Sequence, residues 1–545
     1  MVHPTGLASA HARRKSPLAG AWALFVTLAA VGAAAGAVLL PAGEAQASGL
    51  DVPHIGTTFS SPVGNDAAAL YWNPGMLGFS EKGEVLLGLG VVGGTVGYQR
   101  DRLGTYQYQD GLQFAEPIDP AYIDASKTGS YPGVRSPIFS PNAGGFVSIP
   151  LLKDRLTMGL GLYVPYAAPL KFDPNGDQRF ALQQAFIAVS RVSAGLAVKV
   201  HDRVSIGASV SYVLGIAQLS RIQDFAAVPV FSDALSNPPT NQPNDFGIDA
   251  PSTVRELDVL ARPFALRNAI SHGVTFNVAI AANPVDKLWL GLTYDHGSRT
   301  NFRGSFQLDM NDEFFTQDLA GQGLAFPALV EGKAKLGFRL PKRIMLGVAY
   351  DVTKRLRLET NLAYVFWSDL DAFSITLDSP DLAQPDIGLG SVTTVDLPRN
   401  WKGTIHAELS ARGVVGKRER VRLSGTVGYH SAASPDSTID VASPDGNRLI
   451  GAAGVGYMVK ERITLFADAE VQAIIPRTVT DSDYDLGNGR YDMVLAALML
   501  HLQVRFGDGG KLTKKQRAAA AAGDAEAPAG EAPAANGEEE SAASE

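Results

Sequence analysis

Asp468 and Glu470 are the two residues of this chain whose types and spacing first suggest chemistry. Residues two apart on a strand share a face, so these carboxylates could divide acid and base work between them. The commoner use of such a pair is to neutralise facing Arg and Lys side chains, and that role is expected here. Gly88-Leu89-Gly90-Val91-Val92-Gly93 matches the G-x-G-x-x-G spacing of a dinucleotide-binding turn. That turn must open a helix, whereas this chain continues Gly94-Thr95-Val96-Gly97-Tyr98 as strand, so nucleotide binding is not expected. The nine histidines show no H-E-x-x-H or other ligand spacing, which leaves no expected metal and no cofactor. A hydrolase set on the outside of a membrane barrel would need a Ser/His arrangement at lipid-facing positions, and none is visible. The chain is therefore expected not to be an enzyme.

The elements that would carry these residues are strands. Leu498, Leu500, Leu502, Val504 and Phe506 alternate with residues that include His501, Gln503 and Arg505, so one face of that stretch is apolar and the other polar. The same rhythm recurs in fourteen stretches: 84–99, 140–150, 155–169, 181–200, 203–221, 268–283, 286–306, 331–350, 355–372, 400–413, 420–432, 447–460, 462–477 and 490–506. Connections at Leu152-Lys153-Asp154, His201-Asp202, Asn283-Pro284-Val285-Asp286, Val352-Thr353-Lys354 and Lys460-Glu461 are tight. Residues 100–139, 222–267, 307–330 and 373–399 are long loops bearing Pro, Asp and Asn. Short turns at one end and long loops at the other, around an even number of strands, predict an all-β fold: a 14-stranded antiparallel transmembrane β-barrel with its turns and both termini in the periplasm.

Composition agrees. The 545 residues include 57 glycines and no cysteine, which excludes a disulfide scaffold. The net charge of −8 argues against a nucleic-acid partner. Arg13, Arg14 and Lys15 precede a charge-free stretch from Leu18 to Leu40, and Ala45-Gln46-Ala47 is a small-residue cleavage site. Residues 1–47 are thus expected to be a signal peptide rather than a single-helix anchor. Residues 84–506 would form the barrel. Residues 507–545, basic and then rich in Ala, Pro and Glu, would be a disordered periplasmic tail.

Phase along the strands assigns faces. Val204, Ile206, Ala208, Val210, Tyr212, Leu214 and Ile216 should face lipid, opposite Ser205, Gly207, Ser209 and Ser211. By the same test Arg191, Lys333, Lys335, Arg339, Arg357, Glu359, Lys402, His406, Glu408, Arg422, Asp468 and Glu470 should line a lumen charged with both signs. Trp367 and Trp401 are placed to join an aromatic girdle, with core packing as the alternative.

Residues 48–83 do not alternate. Asp66-Ala67-Ala68-Ala69-Leu70 predicts one short helix behind a polar cap, and Asn73-Pro74-Gly75 signals a turn. Set ahead of the first strand, this piece could fold inside the barrel as a hatch carried by Asp66, Asn73, Pro74 and Gly75.

With those residues in view the chain resembles the FadL/TodX family of outer-membrane transporters for long-chain fatty acids and other hydrophobic compounds. Asp66 through Gly78 is similar to the family's D-A-x-x-L-x-x-N-P-A-G-like segment, with Gly75 where Ala is usual. Pro141-Asn142-Ala143-Gly144 followed by Gly159 to Tyr166 looks like its second and third strands. Leu340 to Tyr350 with Trp367-Ser368 resembles its middle, and Gly425 to Tyr429, Ser434 to Ser437 and Pro444 to Arg448 its late hairpin. The resemblance covers residues 48–506 and implies a fourteen-stranded barrel plugged by an N-terminal hatch, located in the outer membrane of a Gram-negative bacterium. It also implies uptake of a hydrophobic small molecule, collected among the loops and released sideways into the outer-membrane lipids through a gap beside a kinked third strand. Pro165 and Pro169 are the candidate kink, since each removes a ladder donor. Lys333, Lys335 and Arg191 are the candidate partners of a substrate carboxylate. The family's terminal aromatic, read by the barrel-assembly machinery, corresponds to Phe506, which is internal here. The alternative reading is a passive porin for small polar solutes, favoured by the charged lumen and opposed by the hatch.

Overall fold

A computed structural model describes residues 51–103, 129–152, 155–225, 261–322, 324–385 and 390–507. The expected signal peptide, the tail and most of the two longest loops lie outside the described residues. Fourteen antiparallel strands form one closed sheet: β1 Gly83–Arg102, β2 Val134–Leu152, β3 Leu156–Lys171, β4 Gln184–His201, β5 Val204–Asp224 and β6 Ala261–Val285. Then come β7 in two pieces, Leu288–Asp295 and Ser298–Asp309; β8, Leu329–Leu340 and Arg343–Thr353; β9, Leu356–Val365 and Ala372–Asp378; and β10, Val392–Pro398 and Thr404–Val415. The last four are β11 Val421–His430, β12 Arg448–Lys460, β13 Ile463–Val479 and β14 Gly489–Phe506. β1 pairs with β14 from Gly83↔Phe506 to Arg100↔Gly489, which closes the barrel and leaves no edge on those strands. All fourteen predicted stretches are present. The structure lengthens several into what the sequence suggests are loops, most clearly Ala372–Asp378 and Val392–Pro398, which pair with each other inside 373–399.

Face assignments hold where strands run unbroken. Ile206, Val210, Tyr212 and Ile216 are exposed on the outside of β5, while Ser205, Ser209 and Ser211 are buried. On β14, Leu498 and Leu500 are 61% and 67% exposed, whereas His501 and Gln503 are buried. No helix among the described residues is long and apolar enough to cross a membrane, so strands present the apolar band.

The assignments fail above a level at which four neighbouring strands break together: at 296–297, 341–342, 366–371 and 399–403. Below it, Arg343, Met345 and Ala349 point inward on β8; above it, Ala334, Leu336, Phe338 and Leu340 do. Pro341 supplies no N–H, so the ladder lapses there and the alternation resumes one residue out of phase. Gly297 makes the matching break on β7. Its φ is +71°, and a Cβ there would come within 2.5 Å of the Leu340 carbonyl. The upper pieces enclose an apolar cluster containing Phe302, Phe306, Phe315, Phe338, Trp367 and Trp401. Trp367 and Trp401 are buried there with ring centroids 5.2 Å apart, so they are core residues and not a membrane-surface girdle.

Candidate functional site

Residues 51–82 enter the barrel and are held by its inward-facing polar groups. The helix is Ala69–Trp72, three residues later than the sequence suggests, and no side chain caps it. Asp66 instead accepts a 2.7 Å hydrogen bond from the Ser60 hydroxyl. Asn73-Pro74-Gly75 leads into a 3-10 helix, Pro74–Phe79, because Pro at its first position has no N–H to leave unsatisfied. Asn73 Nδ2 donates to the Ile280 carbonyl at 3.1 Å, Asn277 Nδ2 to Tyr71 O at 3.0 Å, and Thr293 Oγ1 to Trp72 O at 2.9 Å. Pro74 and Gly75 lie against the wall so closely that a Cβ on Gly207 would come within 2.3 Å of the Pro74 carbonyl carbon.

Charged groups of the lumen do double duty in this attachment. Glu359 takes Arg357 at 2.8 Å and Arg412 at 3.0 Å, and accepts from Ser61 at 2.9 Å. Glu84 takes Arg505 at 3.0 Å and the Ala67 N–H at 2.9 Å. Asp468 and Glu470 do share the inner face, but their partners are not the expected Arg and Lys. Asp468 meets His501 at 2.9 Å and the Thr58 N–H at 3.1 Å, and Glu470 accepts from Gln472 at 2.6 Å. Asp295, not singled out by the sequence, sits between two buried cations: Arg191 at 2.8 Å and Arg343 at 2.9 Å. Arg343 also donates to Tyr71 Oη at 2.7 Å and so ties this ion triad to the N-terminal segment.

Two of the three candidate carboxylate-binding cations do not reach the lumen. Lys333 and Lys335 belong to the upper piece of β8, where the phase reversal at Pro341 turns them, with Arg339, to the outer surface. Lys402 is exposed in the β10 break. Arg191 is inside, but its guanidinium is committed to Asp295.

The wall opens between two neighbouring strands. β2 and β3 pair only from Gly145↔Leu162 to Leu152↔Leu156, and the rest of the two strands, Val134–Gly144 and Tyr163–Lys171, separate. A hydrogen bond from Lys171 N–H to Ser136 Oγ, 2.7 Å, closes the upper end. The result is a window. It coincides with a bulge at Pro165, where the β3–β4 register slips between Tyr163 and Tyr166. That bulge is turned toward the N-terminal segment: Val52 N–H donates to Pro165 O at 3.2 Å, and Asp51 bridges Tyr166. Pro169, by contrast, lies opposite Phe186 in regular register and marks no kink.

A cavity of about 250 Å³ opens at the window. Its walls are apolar: Val92 and Val96 from β1, Ile138 from β2, Val164 and Ala167 from β3, Phe186 from β4, and Met493 and Leu495 from β14. Asp51, Ser140, Asn142 and Ser443 supply the polar groups, and among the described residues no lining residue is Lys or Arg. Deeper in the lumen a second cavity, about 90 Å³, has a mixed lining in which Arg343, Asn361, His406, Glu408 and His430 face apolar residues such as Ile55, Trp72, Met345 and Leu362. Among the described residues there is no cluster of three or more His, Asp and Glu fit to hold a metal ion.

Burial pushes the Asp51 carboxyl up from 3.8 to about 6, against the opposing pull of Arg343 and Arg448. A raised acid favours the folded state in its protonated form, so this contribution is full below about pH 4 and is lost as pH rises through about 6. Asp51→Asn keeps the neutral form throughout. Because the side chain is only half-buried, the variant should be more stable at pH 7 by about 1–2 kcal/mol and no different at pH 4. Urea unfolding in detergent at the two pH values measures this; equal curves at pH 7 would refute it.

A family model described as "Outer membrane protein transport protein (OMPP1/FadL/TodX)" matches residues 26–505. The chain belongs to the FadL/TodX family. This FadL/TodX protein is accordingly an outer-membrane transporter of hydrophobic compounds in a Gram-negative envelope, within a family of channels rather than enzymes. The fold is shared with a Pseudomonas aeruginosa FadL homologue, 21% identical at a TM-score of 0.65 over 84% of this chain and 100% of that one. It is shared with the Pseudomonas putida toluene transporter TodX, 15% identical at a TM-score of 0.56 over 84% and 99%. It is shared too with the Ralstonia pickettii toluene transporter TbuX, 13% identical at 0.53 over 83% and 99%. No curated protein matches the chain.

Proposed function

We propose that this transporter takes up small neutral hydrophobic compounds, aromatic hydrocarbons in preference to long-chain fatty acids, and releases them sideways through the β2–β3 window. The observation that carries this reading is the apolar cavity that opens at a break in the wall while residues 51–82 occupy the lumen beneath it. An apolar solute reaching the cavity from the loop side meets a polar path below and an apolar one outward. Partition into the bilayer is downhill by about 25 cal/mol for each Å² of apolar surface kept from water.

Two features of the cavity favour a neutral ligand. A carboxylate head needs a cation, and among the described residues the walls offer Asp51 instead. An apolar cavity of about 150 Å³ suffices for benzene, so 250 Å³ suits a substituted ring better than an extended acyl chain. Residues 51–82 serve as the hatch, with Asp66, Asn73, Pro74 and Gly75 at its packed centre, and Pro165 makes the lateral exit. Insertion is assigned to the barrel-assembly machinery reading the last strand, which ends in Phe506.

Uptake of labelled toluene and of labelled oleate by cells carrying this protein as their sole family member tests the proposal. Saturable toluene uptake exceeding oleate uptake is expected, with both unchanged in a Lys333→Met/Lys335→Met variant. The opposite preference, or loss of uptake in that variant, would overturn the ligand assignment. A large steady ion current in planar bilayers would replace it with the open porin.

A further inference from the structure

The outer face of the upper β7 and β8 pieces carries an arrangement that uptake does not use. Arg303 stands directly opposite Lys335, and Arg299 directly opposite Arg339, on the same face of neighbouring strands. Like charges on opposed positions of an antiparallel pair repel and weaken the sheet. Here two such rungs follow one another, separated only by Asn301 opposite Gly337. The space over that glycine is lightly filled: an added Cβ would meet Asn301 Oδ1 at 3.5 Å and nothing closer. All four cations are exposed, and none is ion-paired among the described residues. Glu331 and Asp378 lie farther toward the loop end, and Glu331 is engaged by Gln307.

The position of these cations supplies the counterion. On the same two strands the outward residues just below the breaks are apolar or aromatic: Leu292 and Tyr294 on β7, Ile344 and Leu346 on β8. The patch thus continues the lipid-facing surface at the height where the acyl band ends and headgroups begin, on the loop side that faces the outer leaflet. Four unpaired cations around a small-residue rung suit a tetrahedral dianion, which Arg side chains grip bidentately.

We infer that Arg299, Arg303, Lys335 and Arg339 bind the phosphate of an outer-leaflet lipid headgroup, which neutralises two otherwise repulsive rungs. The test uses the full-length protein purified in detergent, with bisphosphorylated lipid A as the probe, followed by native mass spectrometry across a titration. Wild-type protein should take up one lipid, with affinity falling as salt is raised. The Arg299→Gln/Arg303→Gln/Lys335→Gln/Arg339→Gln variant should bind at least about tenfold more weakly. Lys335→Glu, which converts one repulsive rung into an ion pair with Arg303, should lose binding while melting no lower than wild type without lipid. Dephosphorylated lipid A should bind at least about tenfold more weakly than lipid A to wild type. Equal lipid binding by wild type and Lys335→Glu would overturn the assignment. So would binding of inorganic phosphate as tight as that of lipid A, which would make the patch a site for an adventitious ion only.

Discussion

Asp295→Ala should destabilise the barrel by about 3–5 kcal/mol, the largest loss expected from any single side chain of the lumen. Asp295 is fully buried and holds Arg191 and Arg343 at 2.8 and 2.9 Å. Removing it leaves two guanidiniums facing each other away from water, and an unpaired buried charge costs far more than the pair itself contributes. The effect should reach the N-terminal segment, because Arg343 positions Tyr71 through the 2.7 Å bond to its hydroxyl. Two measurements separate these consequences. The temperature at which the folded band converts to the unfolded one on an SDS gel should drop steeply in Asp295→Ala. It should recover substantially in Asp295→Leu/Arg191→Met/Arg343→Met, since an apolar triad of similar volume leaves no charge unpaired. That triple variant still lacks the Tyr71 anchor and should pass ion current more often than wild type in a planar bilayer. Unchanged conversion temperature in Asp295→Ala would show that the triad carries no stability.

Ser140→Trp/Ala167→Trp should lower uptake of an apolar solute at least about tenfold, equivalent to about 1.4 kcal/mol or more on the barrier. Ser140 on β2 and Ala167 on β3 line the cavity from the two separated strands, so indoles at both positions fill the window from either side. Neither residue is fully buried, and no rung joins the strands there, so the ladder that closes the barrel is untouched. The conversion temperature should therefore remain that of wild type. Ser140→Ala/Ala167→Ser, which preserves the open space, should transport normally. Full uptake in the double Trp variant would remove the window from the route.

How much of this was legible in the sequence depends on how local the determining interaction is. The β5 residues from Val204 to Ile216 alternate because each side chain's direction is set by its own backbone, and their faces follow from one-dimensional spacing. Lys333 and Lys335 obey the same rule, yet their faces are inverted, since the count passes through Pro341 and the strand restarts out of phase beyond it. Proline was visible; that its partner strand would break at Gly297 in the same place was not. Pro165 and Pro169 make the same point at closer range. Both remove a donor, but only Pro165 coincides with a register slip, because Val52 from the N-terminal segment takes its carbonyl. Asp295 carried no signal at all. Its importance comes from Arg191 and Arg343, 104 and 48 residues away.

By itself the sequence determined the number of strands, the end at which the turns lie, the lipid-facing side of each unbroken strand, and the presence of a non-alternating piece ahead of β1. All of these follow from short-range periodicity and from the lengths of connections. Only the tertiary structure decided where the wall opens, which charges reach the lumen, and that Asp51 is the one charged group lining the opening among the described residues. The reason is physical. A cavity is the space left between β1, β2, β3, β4, β14 and two loop segments, and its chemistry is fixed by which faces meet there. Those faces are settled by the breaks at Pro341 and Pro165, whose effect depends on what stands opposite them across the sheet.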